Sequence, residues 1–136
     1  MMTRRVDEAD LIAEVERDPL NRMRVYRLAT ELLNNSWDDV VVLRESGLAL
    51  IAEQLYRSVG SISANLAEGY SRNSGRDRAR YFEYALGSAR ESIEWYRAAS
   101  PVIGDEIHRE RLGPLLEMRK MLIFIIPRAR AQKVGI

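Results

Sequence analysis

The chain contains no cysteine and one histidine. Without cysteine it has no disulfides, thiolate metal sites or cysteine nucleophiles, and the redox compartment stays open. Its longest apolar run, Met121 to Ile126, is far shorter than the ~20 residues that a membrane span needs. The N-terminal segment is acidic after Arg5 and has no apolar stretch typical of a signal peptide. We therefore expect a cytoplasmic protein with no membrane partner.

A strong net charge is also missing, because 21 basic and 20 acidic residues nearly cancel to +1. So small a charge gives no global electrostatic reason to bind nucleic acid or a membrane surface. The 136 residues suffice for one domain with a sizeable core. We expect a single domain over residues 1–136, with an acidic arm or short helix over residues 1–18 and a helical bundle over residues 19–133.

The segment from Gln54 to Arg72 gives the clearest structural signal. Its apolar residues recur at steps of four, three and four, which predicts one buried stripe on an α-helix. These residues are Leu55, Val59, Ile62 and Leu66. Glycine and serine are frequent in this segment and lower its helix propensity, so close packing against neighbouring helices must stabilise it.

Similar patterns predict three further long helices, giving approximate ranges of residues 19–43, 48–70, 75–100 and 104–130. Asp18-Pro19 is a start signal for the first helix, and Pro101 is expected to end the third. We expect a kink or break at residues 34–36, an interruption at Gly113-Pro114, and a kink or end at Pro127. The predicted inner face of the first helix consists of Met23, Tyr26, Ala29, Leu33, Trp37, Val40 and Val41.

Four amphipathic helices joined by short connections predict an all-α fold, an antiparallel up-down-up-down four-helix bundle. Trp95 and Tyr96 lie about 100° apart on their helix, so one can point into the bundle while the other meets a neighbouring subunit. The aromatic set Tyr81, Tyr84, Trp95 and Tyr96 fits either a core and subunit-interface role or a stacking surface beside the arginines, and we favour the first.

Three segments carry a resemblance to a known family. They are the short LATELL over residues 28–33 and two longer motifs, QLYRSVGSISANLAEGYSR over residues 54–72 and RYFEYALGSARESIEWYRAA over residues 80–99. They resemble the four-helix bundle family of 23S rRNA intervening-sequence proteins, which also includes the accessory variability determinant of diversity-generating retroelements. The chain keeps the family's Gln-Leu-x-Arg start, its Ser-Ile-x-x-Asn-x-Ala-Glu-Gly core and its Ala-x-Gly-Ser-x-x-Glu segment. It departs at Tyr56, where a basic residue is usual, and at Leu66, where isoleucine is usual.

The resemblance implies an antiparallel four-helix bundle that assembles into a ring-like homopentamer and is not an established enzyme. We therefore expect a non-enzymatic assembly or interaction protein whose partners are its own copies and RNA, DNA or a nucleic-acid-processing protein. The alternative is a nucleic-acid-binding accessory partner of a reverse transcriptase, as the accessory variability determinants are. Those relatives are strongly basic, whereas this chain is nearly neutral.

Two groups of basic residues are candidates for contact with phosphate backbones. They are Arg72, Arg76, Arg78 and Arg80 around one turn, and Arg119, Lys120, Arg128, Arg130 and Lys133 near the C-terminus. The alternative is that they are solvated helix faces and ends, with the late cations favoured by the helix dipole or covered by the acidic N-terminus.

A polar stripe formed by Ser58, Ser61, Asn65 and Glu68 runs beside the apolar one. Asn65 and Glu68 could form a binding or catalytic pair. We favour a buried hydrogen-bond network that joins this helix to the next and fixes the register of the bundle. Its predicted members are Ser58, Ser61, Asn65, Glu68, Ser88 and Glu91, and an ion pair between Glu68 and Arg72 is the simpler alternative.

Residues typical of an enzyme are few. His108 is expected at the surface, there is no Glu-x-x-His pair for a di-metal site, and no base is placed to activate a serine. No phosphate-binding loop motif is present. We expect no catalytic residues, no metal, no cofactor and no small-molecule substrate.

Overall fold

The computed structural model describes residues 7–132, and this part of the chain is helical without any strand. Its elements are α1 (Glu8–Glu16), a 3₁₀-helix (Pro19–Arg22), α2 (Arg24–Glu45), α3 (Ala49–Tyr70), α4 (Gly75–Ile103) and α5 (Asp105–Ala131). The predicted all-α class is confirmed, with five α-helices in the described residues. None of the helices in residues 7–132 is long and apolar enough to cross a membrane. Lys133, a predicted basic contact, lies outside the described residues.

Helices α2 to α5 pack around one core, each long helix lying against the next in sequence. The apolar stripe predicted on α3 is confirmed, since Leu55, Val59, Ile62 and Leu66 are all fully buried. Burying each such side chain stabilises the fold by roughly 1.5–3 kcal/mol. This burial offsets the weak helix propensity of the serine- and glycine-rich α3.

Two glycines make the tight connections between helices. Gly47 follows α2 with φ of 80°, and the amide of Leu48 donates to the carbonyl of Leu43 at 2.9 Å. This is the Schellman ending of a helix, which favours glycine because other residues rarely adopt positive φ. Gly104, with φ of 89°, is the single residue between α4 and α5.

The first long helix begins later than the sequence predicted. The carboxylate of Asp18 does act as a cap, accepting from the amide of Leu20 at 3.0 Å, but it caps the 3₁₀-helix. Met23 is extended, with ψ of 114°, and α2 begins after it. Residues 34–36 do not break the helix, since α2 continues through them, and the hydroxyl of the buried Ser36 donates to the carbonyl of Leu33 at 2.7 Å.

The buried face of α2 is also rotated relative to the prediction. Trp37 and Val41, predicted to face inward, are 54% and 38% exposed. Ser36 and Asp39 are buried instead, alongside Leu32. The apolar pattern misled the prediction because two polar side chains of α2 find hydrogen-bond partners inside the bundle, and a polar group with a partner can be buried.

None of the three prolines expected to interrupt or end a helix does so. Pro101 lies inside α4, and Pro114 and Pro127 lie inside α5. Proline removes the amide that would donate to the carbonyl four residues earlier. For Pro101 this is the carbonyl of Arg97, which accepts from the hydroxyl of Ser100 at 2.8 Å instead. For Pro114 and Pro127 the corresponding residues, Glu110 and Ile123, are exposed, so water can reach them.

Gly75 joins the start of α4 to the end of α5 by close backbone contact. A Cβ atom at Gly75 would collide with the carbonyl oxygens of Ala129 and Gln132. We expect Gly75→Ala to lower the free energy of unfolding by about 1–3 kcal/mol, because backbone atoms must move to admit the methyl group. Chemical denaturation checks this result.

Gly87 provides the matched control in the same helix, since a Cβ atom there would meet nothing within 4 Å. We expect Gly87→Ala to stabilise the protein by about 0.5–1 kcal/mol through the reduced backbone entropy of the unfolded chain. Equal stabilities of the two variants would contradict the close approach of α4 to α5 at Gly75.

Candidate nucleic-acid interface

The turn between α3 and α4 lies against the C-terminal end of α5. The contact of Gly75 with Ala129 and Gln132 brings together two basic groups that are about fifty residues apart in sequence. We call the combined surface the basic end. It consists of Arg72, Arg76, Arg78, Arg80, Arg128 and Arg130.

Two of these arginines brace the turn itself. Arg72 donates to the carboxylate of Glu68 and to the hydroxyl of Tyr81, both at 2.9 Å, and its guanidinium lies 4.7 Å from the centre of the Tyr81 ring. Arg78 donates to the backbone carbonyl of Arg72 at 2.9 Å, and its guanidinium lies 5.6 Å from the ring centre of Tyr70. Because these contacts are structural, Arg72 and Arg78 are poor positions for testing binding alone.

Arg76, Arg80 and Arg130 face one another around a shallow depression of about 280 Å³, together with Asp77 and Glu83. Arg130 forms an ion pair with Glu83 that joins α5 to α4. The side chain of Arg80 donates to the hydroxyl of Tyr84 at 2.8 Å, and this hydrogen bond raises the pKa of Arg80. Within residues 7–132, neither Arg76 nor Arg80 forms an ion pair with a carboxylate.

A second depression of about 300 Å³ lies between Arg78 and Arg128, on the α3–α4 and α5 sides respectively. Arg128 donates to the carbonyl of Phe124 at 2.7 Å, and its guanidinium lies 3.3 Å from the centre of the Phe124 ring. The structure thus brings six of the nine predicted basic residues to one end of the molecule. Arg119 lies apart beside Arg90 and Arg97, and Lys120 lines a groove between α2 and α5.

Part of the predicted polar network crosses between helices. The hydroxyl oxygens of Ser58 on α3 and Ser92 on α4 lie 3.1 Å apart, and the Ser92 hydroxyl also lies 2.8 Å from the carbonyl oxygen of Ser88, so its single proton can be donated to either oxygen. Glu91 accepts from Arg57 at 2.7 Å and from the indole nitrogen of Trp95 at 3.2 Å. Ser92 is a member of this network that the sequence reasoning missed.

The other three predicted members do not reach α4. Ser61 donates to the carbonyl of Arg57, and Asn65 to the carbonyl of Ser61, both at 2.8 Å within α3. Glu68 is exposed and forms an ion pair with Arg72 at 2.9 Å within the same segment, as the alternative prediction stated. The prediction differs from the structure because these residues lie at the edge of the α3–α4 interface, where short polar side chains bond to their own helix.

The main buried polar cluster, which the sequence reasoning missed, joins α2, α4 and α5. Asp39 accepts from the hydroxyl of Tyr96 at 2.7 Å and from the guanidinium of Arg111 at 2.8 and 3.3 Å. The side chains of Asp39 and Arg111 are 5% and 12% exposed, and Tyr96 is fully buried. The hydrogen bond to Asp39 raises the pKa of Arg111. One turn before Arg111, His108 is partly buried, whereas the sequence reasoning placed it at the surface.

Burial, followed by the hydrogen bond to Asp39, raises the pKa of Tyr96 above its usual value of 10.0. The folded state therefore keeps the phenolic proton while the unfolded chain releases it above pH 10. We expect the stabilisation that depends on this proton to be complete below pH 10 and lost as the pH rises further. Tyr96→Phe should remove this pH dependence and cost roughly 1.5–3 kcal/mol at neutral pH. Urea unfolding of both proteins at pH 7 to 11 checks this, and parallel pH profiles would contradict it.

Within residues 7–132 there is no group of three or more His, Cys, Asp or Glu side chains arranged to hold a metal. Of the adjacent aromatic pair, Tyr96 points into the bundle, while Trp95 is half-buried and bonded to Glu91.

A solved structure of similar fold comes from Bacteroides thetaiotaomicron VPI-5482 and is described as a protein with unknown function from the S23 ribosomal protein family. The two chains share 26% sequence identity and a TM-score of 0.71, and the match covers 75% of this chain and 97% of the other. No curated protein matches the chain.

The family model of the 23S rRNA-intervening sequence proteins matches residues 21–123, and therefore includes α2 to α4 and most of α5. Helix α1 precedes the matched region. The match extends over well more than half of the 136 residues. The chain belongs to the family of 23S rRNA-intervening sequence proteins.

Proposed function

We propose that this protein is a non-enzymatic assembly module that binds structured RNA through the phosphate backbone at its basic end. One observation carries the proposal: two basic groups from distant parts of the sequence converge where α5 meets the α3–α4 turn. A net charge of +1 gives little global attraction, but backbone binding needs only a local cluster of guanidinium groups.

The arginines of the basic end divide into two roles. Arg72, Arg78 and Arg130 hold the turn and the end of α5 together through hydrogen bonds and an ion pair. Arg76, Arg80 and Arg128 are exposed and form no ion pair within residues 7–132, so they are the groups proposed to meet phosphates. Guanidinium groups suit this role because they bind phosphate oxygens in pairs.

Self-assembly is the second part of the proposal. We propose that α2 to α5 form an antiparallel up-down-up-down four-helix unit, since their connections are one to four residues long, and that the units assemble into a homopentamer. Large apolar side chains left exposed on α2, α3 and α5 support assembly. A ring would repeat the basic end once per subunit and multiply its affinity for a long RNA.

Binding rather than catalysis is the function that the polar groups support. Asp39, Tyr96 and Arg111 are buried or nearly buried and are paired with one another. Because their polar atoms bond to each other inside the bundle, they are not presented to a substrate. We therefore propose that the buried cluster is structural.

A filter-binding titration tests the proposal. The wild-type protein is titrated against structured RNA and against duplex DNA of equal length. The salt concentration is varied from about 25 to 300 mM, because binding to a phosphate backbone depends steeply on salt. We expect RNA binding at low salt that weakens steeply as salt is added. Absence of RNA binding at the lowest salt, where backbone contact is strongest, would refute the proposal. Tighter binding to DNA would refute the choice of RNA.

A further inference from the structure

Helix α1 carries an apolar face that covers nothing in its own chain. Leu11, Ile12 and Val15 lie on one side of the helix and are 54%, 53% and 71% exposed, and α1 has no buried residue. Residues 7–16 also carry five carboxylates and no basic residue. An acidic helix with one exposed apolar face is typical of a segment that docks into a groove.

A hydrogen bond connects the C-terminal end of α1 to the segment that follows it. The side-chain amide of Asn21 donates to the carbonyls of Val15 and Asp18, both at 3.1 Å. Leu20 in the 3₁₀-helix is buried, and only Arg17 and Asp18 separate this element from α1. Folding α1 back onto its own bundle would require the two-residue connection to change and the hydrogen bond from Asn21 to Val15 to break, which favours a site on another molecule.

A groove of matching character lies between α2 and α5. It has a volume of about 600 Å³ and is lined by Arg24, Glu117, Lys120, Met121, Phe124 and Ile125. Phe124 is 58% exposed, and the neighbouring Ile123 is 52% exposed. Arg24 and Glu117 form an ion pair with each other, so the positive charge of the lining comes from Lys120. The groove therefore combines an apolar floor with a net positive edge, whereas α1 combines an apolar face with carboxylates.

We propose that α1 of one copy docks into the α2–α5 groove of a second copy of this chain. Charge selects this groove over the other exposed apolar surface, where Trp37 and Tyr56 meet at 5.5 Å between ring centres. There Asp38 follows Trp37 and Glu53 lies one turn before Tyr56, while Arg57, the residue after Tyr56, is paired with Glu91. The carboxylates of α1 would therefore be repelled.

The contact joins two different surfaces, so each copy has one α1 to give and one groove to fill. Contacts of this kind close into rings when the rotation between copies permits. The inference rests on the self-assembly put forward under the proposed function and adds the segment that connects the copies. None of the six arginines of the basic end lines this groove, so RNA binding and the α1 contact can be tested separately.

Cross-linking between two different chains tests the contact, and the absence of native cysteine makes each introduced thiol unique. Val15→Cys in untagged protein is mixed with Phe124→Cys in a tagged chain, allowed to exchange and oxidised. We expect a disulfide-linked heterodimer as the main product by mass spectrometry. The control pairs Leu50→Cys, 70% exposed against 71% for Val15, with Phe124→Cys, and should give at least tenfold less heterodimer.

A second variant, Leu11→Ser/Ile12→Ser/Val15→Ser, should keep its melting temperature because these side chains are outside the core, yet self-associate at least tenfold more weakly. An assembled wild type that gives no Val15–Phe124 heterodimer would overturn the inference and leave self-assembly standing. A disulfide formed only within a Val15→Cys/Phe124→Cys chain would overturn the second copy as the occupant. A monomeric wild type would overturn both the inference and the proposed assembly.

Discussion

Replacing Asp39 with alanine is expected to lower the free energy of unfolding by about 3–5 kcal/mol, because it leaves the nearly buried charge of Arg111 with only the exposed carboxylate of Glu110, 3.9 Å away. Asp39 accepts from Tyr96 on α4 and from Arg111 on α5, so the substitution leaves two donors unpaired at once. The cluster joins three of the four long helices, and its loss should therefore affect the whole cooperative transition. Equilibrium unfolding in urea measures the effect.

Asp38→Ala is the matched control, since Asp38 is the exposed neighbour of Asp39 on α2. We expect its stability to stay within about 0.5 kcal/mol of the wild type. Arg111→Met combined with Asp39→Leu should cost much less than Asp39→Ala alone, because the pair is removed together and no charge stays buried. If Asp39→Ala behaved like Asp38→Ala, the buried cluster would not contribute to stability.

Neutralising the exposed cations of the basic end is expected to have the largest effect on binding. Arg76→Ala/Arg80→Ala/Arg128→Ala should weaken binding to structured RNA by roughly tenfold or more, because each lost phosphate contact removes part of the counterion-release free energy. The helix ends should stay folded, since Arg72, Arg78 and Arg130 retain their contacts with the turn. Filter binding and circular dichroism on the same samples check both expectations.

The control for this variant removes three exposed arginines elsewhere, Arg44, Arg97 and Arg109, and so changes the net charge equally. We expect it to bind RNA within about threefold of the wild type, because a small net charge supplies little of the attraction. Equal losses in both variants would mean that binding follows total charge, and the basic end would have no special role.

The sequence predicted the all-α class, the family and the buried stripe of α3 because these depend on local periodicity and on motifs. It also placed six arginines in two groups, although their convergence depends on the contact of Gly75 with the end of α5. No periodic signal connects positions that are about fifty residues apart. Only the packing of α4 against α5 brings them together.

The predictions that differ from the structure concern polar residues and prolines, whose hydrogen-bond partners cannot be identified from the sequence. Asp39 and Ser36 are polar and were not assigned to the inner face of α2, yet both are buried. Ser36 donates to the carbonyl of Leu33, and Asp39 accepts from the hydroxyl of Tyr96, so neither is buried without a hydrogen-bond partner. Pro101 was expected to end α4, but the hydroxyl of Ser100 supplies the missing donor to the carbonyl of Arg97. Such compensation depends on side-chain geometry, which a residue pattern does not contain.

The salt dependence of RNA binding, measured side by side for the wild type, the Arg76/Arg80/Arg128 variant and the Arg44/Arg97/Arg109 control, tests the central claim most directly. Each phosphate contact contributes about 0.7–0.9 to the slope of log affinity against log salt. We predict a slope that is shallower by roughly 2–3 for the basic-end variant and unchanged for the control. Equal slopes for all three proteins would contradict the claim that the basic end binds the RNA backbone.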